Sequence, residues 1–189
     1  MVFHFFEILV AVIFPLSEAL LTIFKRAKKD RTRVQDEGSI GLLWAVILAS
    51  IVLSVACRWV RVAQVTMPEP LRVALLLGLV LPGLALRWMS ILTLGRYFTV
   101  DVAIHEDHQV IQSGPYRFVR HPSYTGVLMA FLGVGITTNN LLSLVVLVLP
   151  IGLAILHRIK VEERALRESL GEPYAAYCAR TSRLIPGVY

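Results

Sequence analysis

The sequence predicts an all-α integral membrane protein with about five transmembrane helices and a C-terminal cytosolic helical cap. Of its 189 residues, 56% are hydrophobic and only 17% are charged, and the mean hydropathy is +0.68. These values are typical of membrane proteins and not of soluble domains. The apolar residues gather into five stretches, each near the ~20 residues that a helix needs to cross the ~30 Å hydrocarbon layer. We therefore expect one compact membrane domain with no separate soluble domain.

The apolar stretches alternate with polar connections. They lie at about 2–24, 40–57, 71–94, 122–138 and 141–157. The first stretch lacks a basic start and precedes a basic cluster, so we expect a retained anchor and not a cleaved signal peptide. Only Asn139-Asn140 separates the last two stretches. That spacing predicts a tight helical hairpin, which either crosses the membrane or dips part-way into it.

Basic residues predict the orientation, because Lys and Arg collect on the cytoplasmic side of membrane proteins. Fifteen of the 19 Lys and Arg residues lie in 25–39, 95–121 and 158–189. We therefore expect the N-terminus outside and the C-terminus in the cytosol, with 95–121 and 158–189 forming a polar cap over the cytosolic helix ends. This distribution explains the net charge of +6 without a nucleic-acid partner. Cys57 and Cys178 fall on opposite sides of the membrane, and no zinc-ligand spacing is present, so we expect neither a disulfide nor a metal site.

The polar run 114–126 is the leading candidate for a functional site, because it lies between apolar segments that are long enough to cross a membrane. It reads Gly-Pro-Tyr-Arg-Phe-Val-Arg-His-Pro-Ser-Tyr-Thr-Gly. Pro122 fits the first position of a helix. The free N–H groups and partial positive charge of that helix start favour an anion beside Arg120. The simpler alternative is that Arg117 and Arg120 only reach lipid headgroups.

Two further patterns bear on a site. The predicted fourth helix carries small residues at helical spacing, namely Gly126, Ala130 and Gly133. They leave a groove for a flat ligand or, more commonly, for another helix of this chain or of a second copy. Glu162 and Glu163 adjoin the membrane and can hold an ammonium group. Glu162 lies on the same helix face as Arg158, four residues later. The alternative is an ordinary solvated helix face, because Glu163 and Arg167 can pair in the same way.

In combination, these motifs resemble the isoprenylcysteine carboxyl methyltransferase family, whose core the related phospholipid N-methyltransferases share. In chain order, the matching residues are His108-x-x-x-x-x-Gly114-Pro115-Tyr116, Arg120-His121-Pro122-x-Tyr124-x-Gly126, Glu162-Glu163, Gly171-x-x-Tyr174-x-x-Tyr177 and Arg183-x-x-Pro186. The resemblance covers about 87–189. It implies a single domain, 1–189, with three N-terminal membrane helices in 1–94. Residues 95–189 would then form a cofactor-binding core with the hairpin and a cytosolic cap over the cofactor.

The resemblance also implies S-adenosylmethionine as the cofactor. The implied cofactor-binding residues are His108, Tyr116, Arg120, His121, Tyr124, Gly133, Gly135, Glu162 and Glu163. Among them, Glu163 or Glu162 would receive the ammonium group, while Gly133-Val134-Gly135 resembles the Gly-x-Gly of the phospholipid branch. The catalytic candidates are Arg120, Arg158 and Tyr124, with one of the two arginines steering a carboxylate acceptor. We expect the tail residues Tyr174, Tyr177 and Arg183 to pack the cap against the helices.

The implied function is methyl transfer to a lipophilic or lipidated acceptor at the membrane, most directly carboxyl O-methylation. Phospholipid N-methylation and thiol S-methylation would use the same cofactor cap and stay open at this point. An NADPH-dependent membrane reductase and a non-enzymatic membrane assembly protein are remoter alternatives. The oligomeric state is open as well.

Overall fold

The computed structural model describes residues 32–34, 38–98, 103–105 and 109–188. The predicted first membrane segment, 2–24, and the candidate His108 lie outside these residues. The α-helices of the described part are α1 (Ser39–Cys57), α2 (Glu69–Leu94), α3 (Pro122–Thr137), α4 (Leu141–Leu170) and α5 (Glu172–Arg180). Short 3₁₀ helices form at Arg61–Ala63, Gly95–Tyr97 and Gly114–Arg117.

The helices have the lengths that a membrane protein requires. Helices α1, α2 and α4 are long and apolar enough to cross a membrane, and α3 is a shorter apolar helix. The 16 residues of α3 span about 24 Å, less than the ~30 Å hydrocarbon layer. The all-helical membrane fold predicted from the sequence is confirmed in its main elements.

A small ribbon accompanies the helices and was not predicted. The strands β1 (Thr32–Val34) and β2 (Ala103–His105) pair antiparallel, with Thr32 opposite His105. Strands of three residues are too short to show a period in the sequence. Their pairing brings the connection before α1 next to the connection after α2, two polar regions that the sequence placed on the same side.

Helix α4 is longer than predicted, because the prediction ended the apolar segment at 157 and began a tail helix at Arg158 as the chain leaves the membrane. The helix runs without a break for 30 residues, from Leu141 to Leu170. At ~1.5 Å per residue it is about 45 Å long, so its C-terminal part extends beyond a ~30 Å apolar layer. Hydropathy falls at residue 158, but residues 158–170 are mostly good helix formers, so the helix continues. Gly171 ends it at a positive φ of 59°.

The hairpin between α3 and α4 is as tight as predicted. Asn139 adopts a left-handed φ of 52° in the turn, a conformation that Asn tolerates better than most residues. The Asn140 side chain then caps α4 by accepting a 3.0 Å hydrogen bond from the Ser143 N–H. Capping by Asn satisfies a backbone donor that the first helical turn leaves free.

The helices pack mainly as two pairs, α2 with α3 and α1 with α4, and the pairs meet through α3 and α4. Gly83 of α2 faces Gly126 of α3 so closely that a Cβ atom on Gly83 would lie 2.6 Å from the Gly126 carbonyl oxygen. Between α1 and α4, Ser54 and Ser143 exchange hydrogen bonds from hydroxyl to carbonyl oxygen, at 3.0 and 2.8 Å. The small-residue face of α3 therefore accommodates another helix of the same chain.

Candidate functional site

The site forms where the start of α3, the C-terminal half of α4 and the chain after α5 meet. The backbone N–H of Arg120 donates to the Ser182 carbonyl oxygen at 2.8 Å, and the N–H of His121 donates to the Arg183 carbonyl oxygen at 2.9 Å. We call residues 181–184 the tail segment. Its strand-like pairing fixes the residues that precede α3 against the end of the chain.

Glu163 on α4 is the centre of a buried ionic cluster. Its side chain is only 4% exposed. Arg120 Nε donates to Oε1 at 2.9 Å, and Arg183 donates to both carboxylate oxygens at 3.0 to 3.2 Å. His121 Nε2 lies 3.3 Å from Oε1. Buried carboxylates require such partners, so we define Arg120, His121, Glu163 and Arg183 as the Glu163 cluster.

Arg120 also connects this cluster to α5. Its guanidinium donates to the Cys178 carbonyl oxygen at 3.1 Å and to the Thr181 carbonyl oxygen. Carbonyls at a helix C-terminus lack partners within the helix, and a cationic side chain is a favourable one. Arg120 therefore joins α4 to the end of α5, which makes it a structural residue of the cap.

Glu162 has a different environment from its neighbour. Its side chain is 31% exposed. Among the described residues it accepts one hydrogen bond, from the Tyr124 hydroxyl at 3.0 Å, and its Oε2 lies 4.0 Å from His121 Nδ1. Glu162 thus keeps acceptor capacity, whereas both oxygens of Glu163 are engaged.

A chain of hydrogen bonds extends from Glu162 toward the membrane helices. Arg158 Nε donates to the Tyr124 hydroxyl at 2.9 Å, and its Nη1 donates to Ser39 Oγ at 2.8 Å. Arg158 is 3% exposed, and these two partners lie on α3 and α1. The sequence left Arg158 either on a solvated helix face or at the site. The structure buries it between three helices, with Tyr124 between it and Glu162.

Two tyrosines beside the site connect it to α2 and α5. The Tyr116 hydroxyl donates to the Ser90 carbonyl oxygen at 3.4 Å, and the Tyr177 hydroxyl donates to the Tyr116 carbonyl oxygen at 2.7 Å. Burial raises the pKa of Tyr177 to about 12, and burial, together with the charge of Glu162, raises the pKa of Tyr116 above its usual range. Both phenols therefore remain protonated donors at neutral pH.

Most of the predicted site residues come together, and two do not. Arg120, His121, Tyr124, Arg158, Glu162 and Glu163 form the connected network described above, and Tyr116 packs beside it. Gly133 and Gly135 lie at least 16 Å along α3 from its first residue, at ~1.5 Å per residue. A Cβ on Gly133 would meet Val80 and Leu79 of α2, and one on Gly135 would meet Leu144 of α4. Their positions favour helix packing over cofactor contact.

Two arginines belong to the site although the sequence analysis did not place them there. Arg183, expected to pack the cap, instead donates to both oxygens of Glu163. Arg87 Nη1 donates to Ser123 Oγ at 2.9 Å, in the first turn of α3. The sequence showed the motif that contains Arg183, but it did not show that Arg183 contacts Glu163, 20 residues earlier in the chain. Arg87 lies in a membrane segment, where a cation is itself a signal of function.

The fold and the site define a helical, multi-pass integral membrane protein with a buried ionic cluster beside the ends of its membrane helices. Residues 76–168, which contain most of the site, match the model of the isoprenylcysteine carboxyl methyltransferase (ICMT) family. Through these residues the chain is similar to the ICMT family.

Individual relatives show the same similarity. A probable protein-S-isoprenylcysteine O-methyltransferase of Oryza sativa subsp. indica is 34% identical over 112 residues, which are 58% of this chain and 59% of that protein. The cobalt-zinc-cadmium resistance protein CzcN of Cupriavidus metallidurans is 29% identical over 148 residues, which are 76% of this chain and 62% of that protein.

A solved structure extends the similarity to the fold. The eukaryotic intramembrane Ras methyltransferase ICMT aligns with a TM-score of 0.55 and 30% identity, over 60% of this chain and 41% of that chain. The chain thus spans less than two thirds of the length of each of these proteins.

Proposed function

We propose that this site binds S-adenosylmethionine and that the protein transfers its methyl group to the carboxylate of a lipophilic or lipidated acceptor. The observation that carries the proposal is the convergence of Arg120, His121 and Tyr124 with the adjacent carboxylates Glu162 and Glu163, in the part of the chain that matches the ICMT family. The O-methyltransferase name of the rice relative supports the carboxyl acceptor.

The residues of the site fit the amino-acid end of such a cofactor. An ammonium group needs a carboxylate with free acceptor capacity, and Glu162 has it. Glu163 already accepts from two arginines, so a further cation there would have to displace one of them. Of the two carboxylates that the sequence left open, we therefore assign the ammonium to Glu162. The start of α3, with its partial positive charge and Arg87 close by, suits the cofactor carboxylate.

The position of Arg158 suits an acceptor carboxylate. At ~1.5 Å per residue, Arg158 lies about 26 Å along α4 from Leu141, and Glu162 about 32 Å. These depths are close to the edge of a ~30 Å hydrocarbon layer. An acceptor with a lipid tail among the helices would therefore present its carboxylate near Arg158, while a polar cofactor enters from water.

The residues' task in the reaction is positioning and exclusion of water. When bound, the cofactor supplies a methyl group on a sulfonium, which an anionic carboxylate oxygen can accept without a proton transfer. Arg158 would hold that carboxylate. The Tyr124 hydroxyl, which is hydrogen-bonded to both Arg158 and Glu162, would hold these two side chains in fixed positions relative to each other. The basic residues of the polar connections support a cytosolic location of the site and an outside N-terminus.

The proposed function can be tested with protein purified into lipid nanodiscs. We expect it to bind S-adenosylmethionine in calorimetry and to transfer label from its methyl group to a farnesylated cysteine derivative that has a free carboxylate. The label should be released as volatile methanol in base, because the product is a methyl ester. Base-stable label in amine or thiol lipids, with none in carboxylates, would contradict O-methylation. Absence of binding by folded protein would contradict the methyltransferase proposal as a whole.

Arg158→Lys in the same assay tests the acceptor contact. Lys keeps the charge but lacks the planar fork that matches a carboxylate. We expect the KM for the acceptor to rise roughly tenfold, as for a lost charge-assisted hydrogen bond, with little change in cofactor affinity. Arg167→Lys, an exposed position on the same helix, is the matched control. An unchanged acceptor KM in Arg158→Lys would exclude Arg158 as the acceptor contact.

A further inference from the structure

Tyr174 has a buried hydroxyl that the fold does not use. The residue lies on α5 and is 4% exposed. Its hydroxyl oxygen is buried and has no hydrogen-bond partner among the described residues. Tyr177, one turn later, is equally buried, but its hydroxyl donates to the Tyr116 carbonyl oxygen at 2.7 Å. Buried polar groups are nearly always paired, and an unpaired one costs about 1–3 kcal/mol.

Packing explains the ring of Tyr174 but does not explain its hydroxyl. The ring packs against Tyr177 with a centroid distance of 6.0 Å, and this packing is the role predicted from the sequence. Phe would meet that need equally well and would avoid the unpaired hydroxyl. The hydroxyl therefore needs a separate explanation.

The surroundings of the hydroxyl are ionic. Burial is the largest cause of the raised pKa of Tyr174, and the negative charges of Glu163 and Glu162 raise it further, while Arg120 opposes them. The hydroxyl belongs to the part of α5 that adjoins the Glu163 cluster, because Arg120 binds the carbonyl oxygen of Cys178 one turn further along the helix. It remains protonated at neutral pH, so it can both donate and accept a hydrogen bond.

We propose that the Tyr174 hydroxyl binds the amino-acid end of the methyl donor, beside the ammonium group that Glu162 holds. This inference rests on the proposed function and adds a contact from α5 to it. The donor's carboxylate and ammonium are the hydrogen-bonding groups that this end of the molecule brings to the site. With the hydroxyl as a ligand contact, α5 belongs to the binding site as well as to the cap.

Tyr174→Phe tests the inference, because it removes only the hydroxyl. We expect calorimetry to show S-adenosylmethionine and S-adenosylhomocysteine bound about three- to tenfold more weakly, as for one lost hydrogen bond. The thermal unfolding temperature should not fall, since no protein hydrogen bond is lost. Tyr177→Phe is the matched control and should do the reverse, lowering the unfolding temperature while changing the affinity less.

A second ligand locates the contact. 5′-Methylthioadenosine lacks the amino-acid end, so its affinity should be the same for Tyr174→Phe and for the unchanged protein. Equal weakening for this ligand, or unchanged S-adenosylmethionine affinity in Tyr174→Phe, would overturn the inference while leaving the proposed function intact. Absence of S-adenosylmethionine binding by the unchanged protein would instead overturn the proposed function, and this inference with it.

Discussion

Glu163→Gln is expected to lower the free energy of unfolding by about 3–5 kcal/mol, as for other buried ion pairs that lose one partner. The substitution keeps the size of the side chain but removes the negative charge that compensates Arg120 and Arg183. Arg120 is 8% exposed at its side chain and would remain buried beside a neutral amide. Because Arg120 also binds the carbonyl oxygens at the end of α5, the loss should loosen the cap as well as the cluster.

Thermal unfolding in detergent or nanodiscs measures this effect. Glu168→Gln makes the same change of charge at an exposed position on α4 and should change stability by no more than about 0.5 kcal/mol. If Glu163→Gln unfolded at the same temperature as Glu168→Gln, the carboxylate would not be the electrostatic centre of the cluster. In that case the assignment of the two carboxylates to different roles would be wrong.

The membrane helices could be predicted from composition alone, because runs of apolar residues near ~20 in length have few alternatives to a spanning helix. The described helices α1 and α2 begin and end within about two residues of the predicted apolar stretches. Helix α4 shows the limit of this reasoning. Hydropathy identifies where a helix leaves the apolar layer and not where it ends, so the 13 residues from Arg158 to Leu170 were assigned to a separate tail helix.

The sequence indicated which residues to assign to the site, but not which of them contact one another. Family resemblance brought Arg120 and Glu163 into one site although 43 residues separate them; no local spacing connects them. The resemblance could not say which carboxylate is saturated, because that depends on Arg183 of the tail segment. The structure distinguishes the two carboxylates, because the Glu163 side chain is 4% exposed and the Glu162 side chain is 31% exposed.

Small residues were ambiguous for a related reason. Gly126, Gly133 and Gly135 read equally as a ligand groove or as a helix contact, since a glycine only permits close approach. What approaches is determined by the opposite element, which the local sequence does not contain. Gly83 of α2 meets Gly126, and Leu144 of α4 meets Gly135. The sequence shows where close approach is possible, and only the folded structure shows which residue of the neighbouring helix packs there.

Glu162→Gln should produce the opposite phenotype from Glu163→Gln. The Glu162 side chain is 31% exposed and accepts one hydrogen bond from Tyr124, which the Gln amide oxygen can still accept. We therefore expect little change in the unfolding temperature. Cofactor affinity should fall about ten- to a hundredfold, because a charge-assisted hydrogen bond to an ammonium group contributes about 1.5–3 kcal/mol.

Calorimetric titration with S-adenosylmethionine separates the possible outcomes, again with Glu168→Gln as the control. 5′-Methylthioadenosine has no ammonium group, so its affinity should be insensitive to Glu162→Gln if the loss comes from that group alone. Normal S-adenosylmethionine affinity in Glu162→Gln, together with lost affinity in a well-folded Glu163→Gln, would move the ammonium to Glu163. The bound state would then require Arg183 to leave Glu163 when the cofactor enters, and the tail segment would have to rearrange on binding instead of standing preformed.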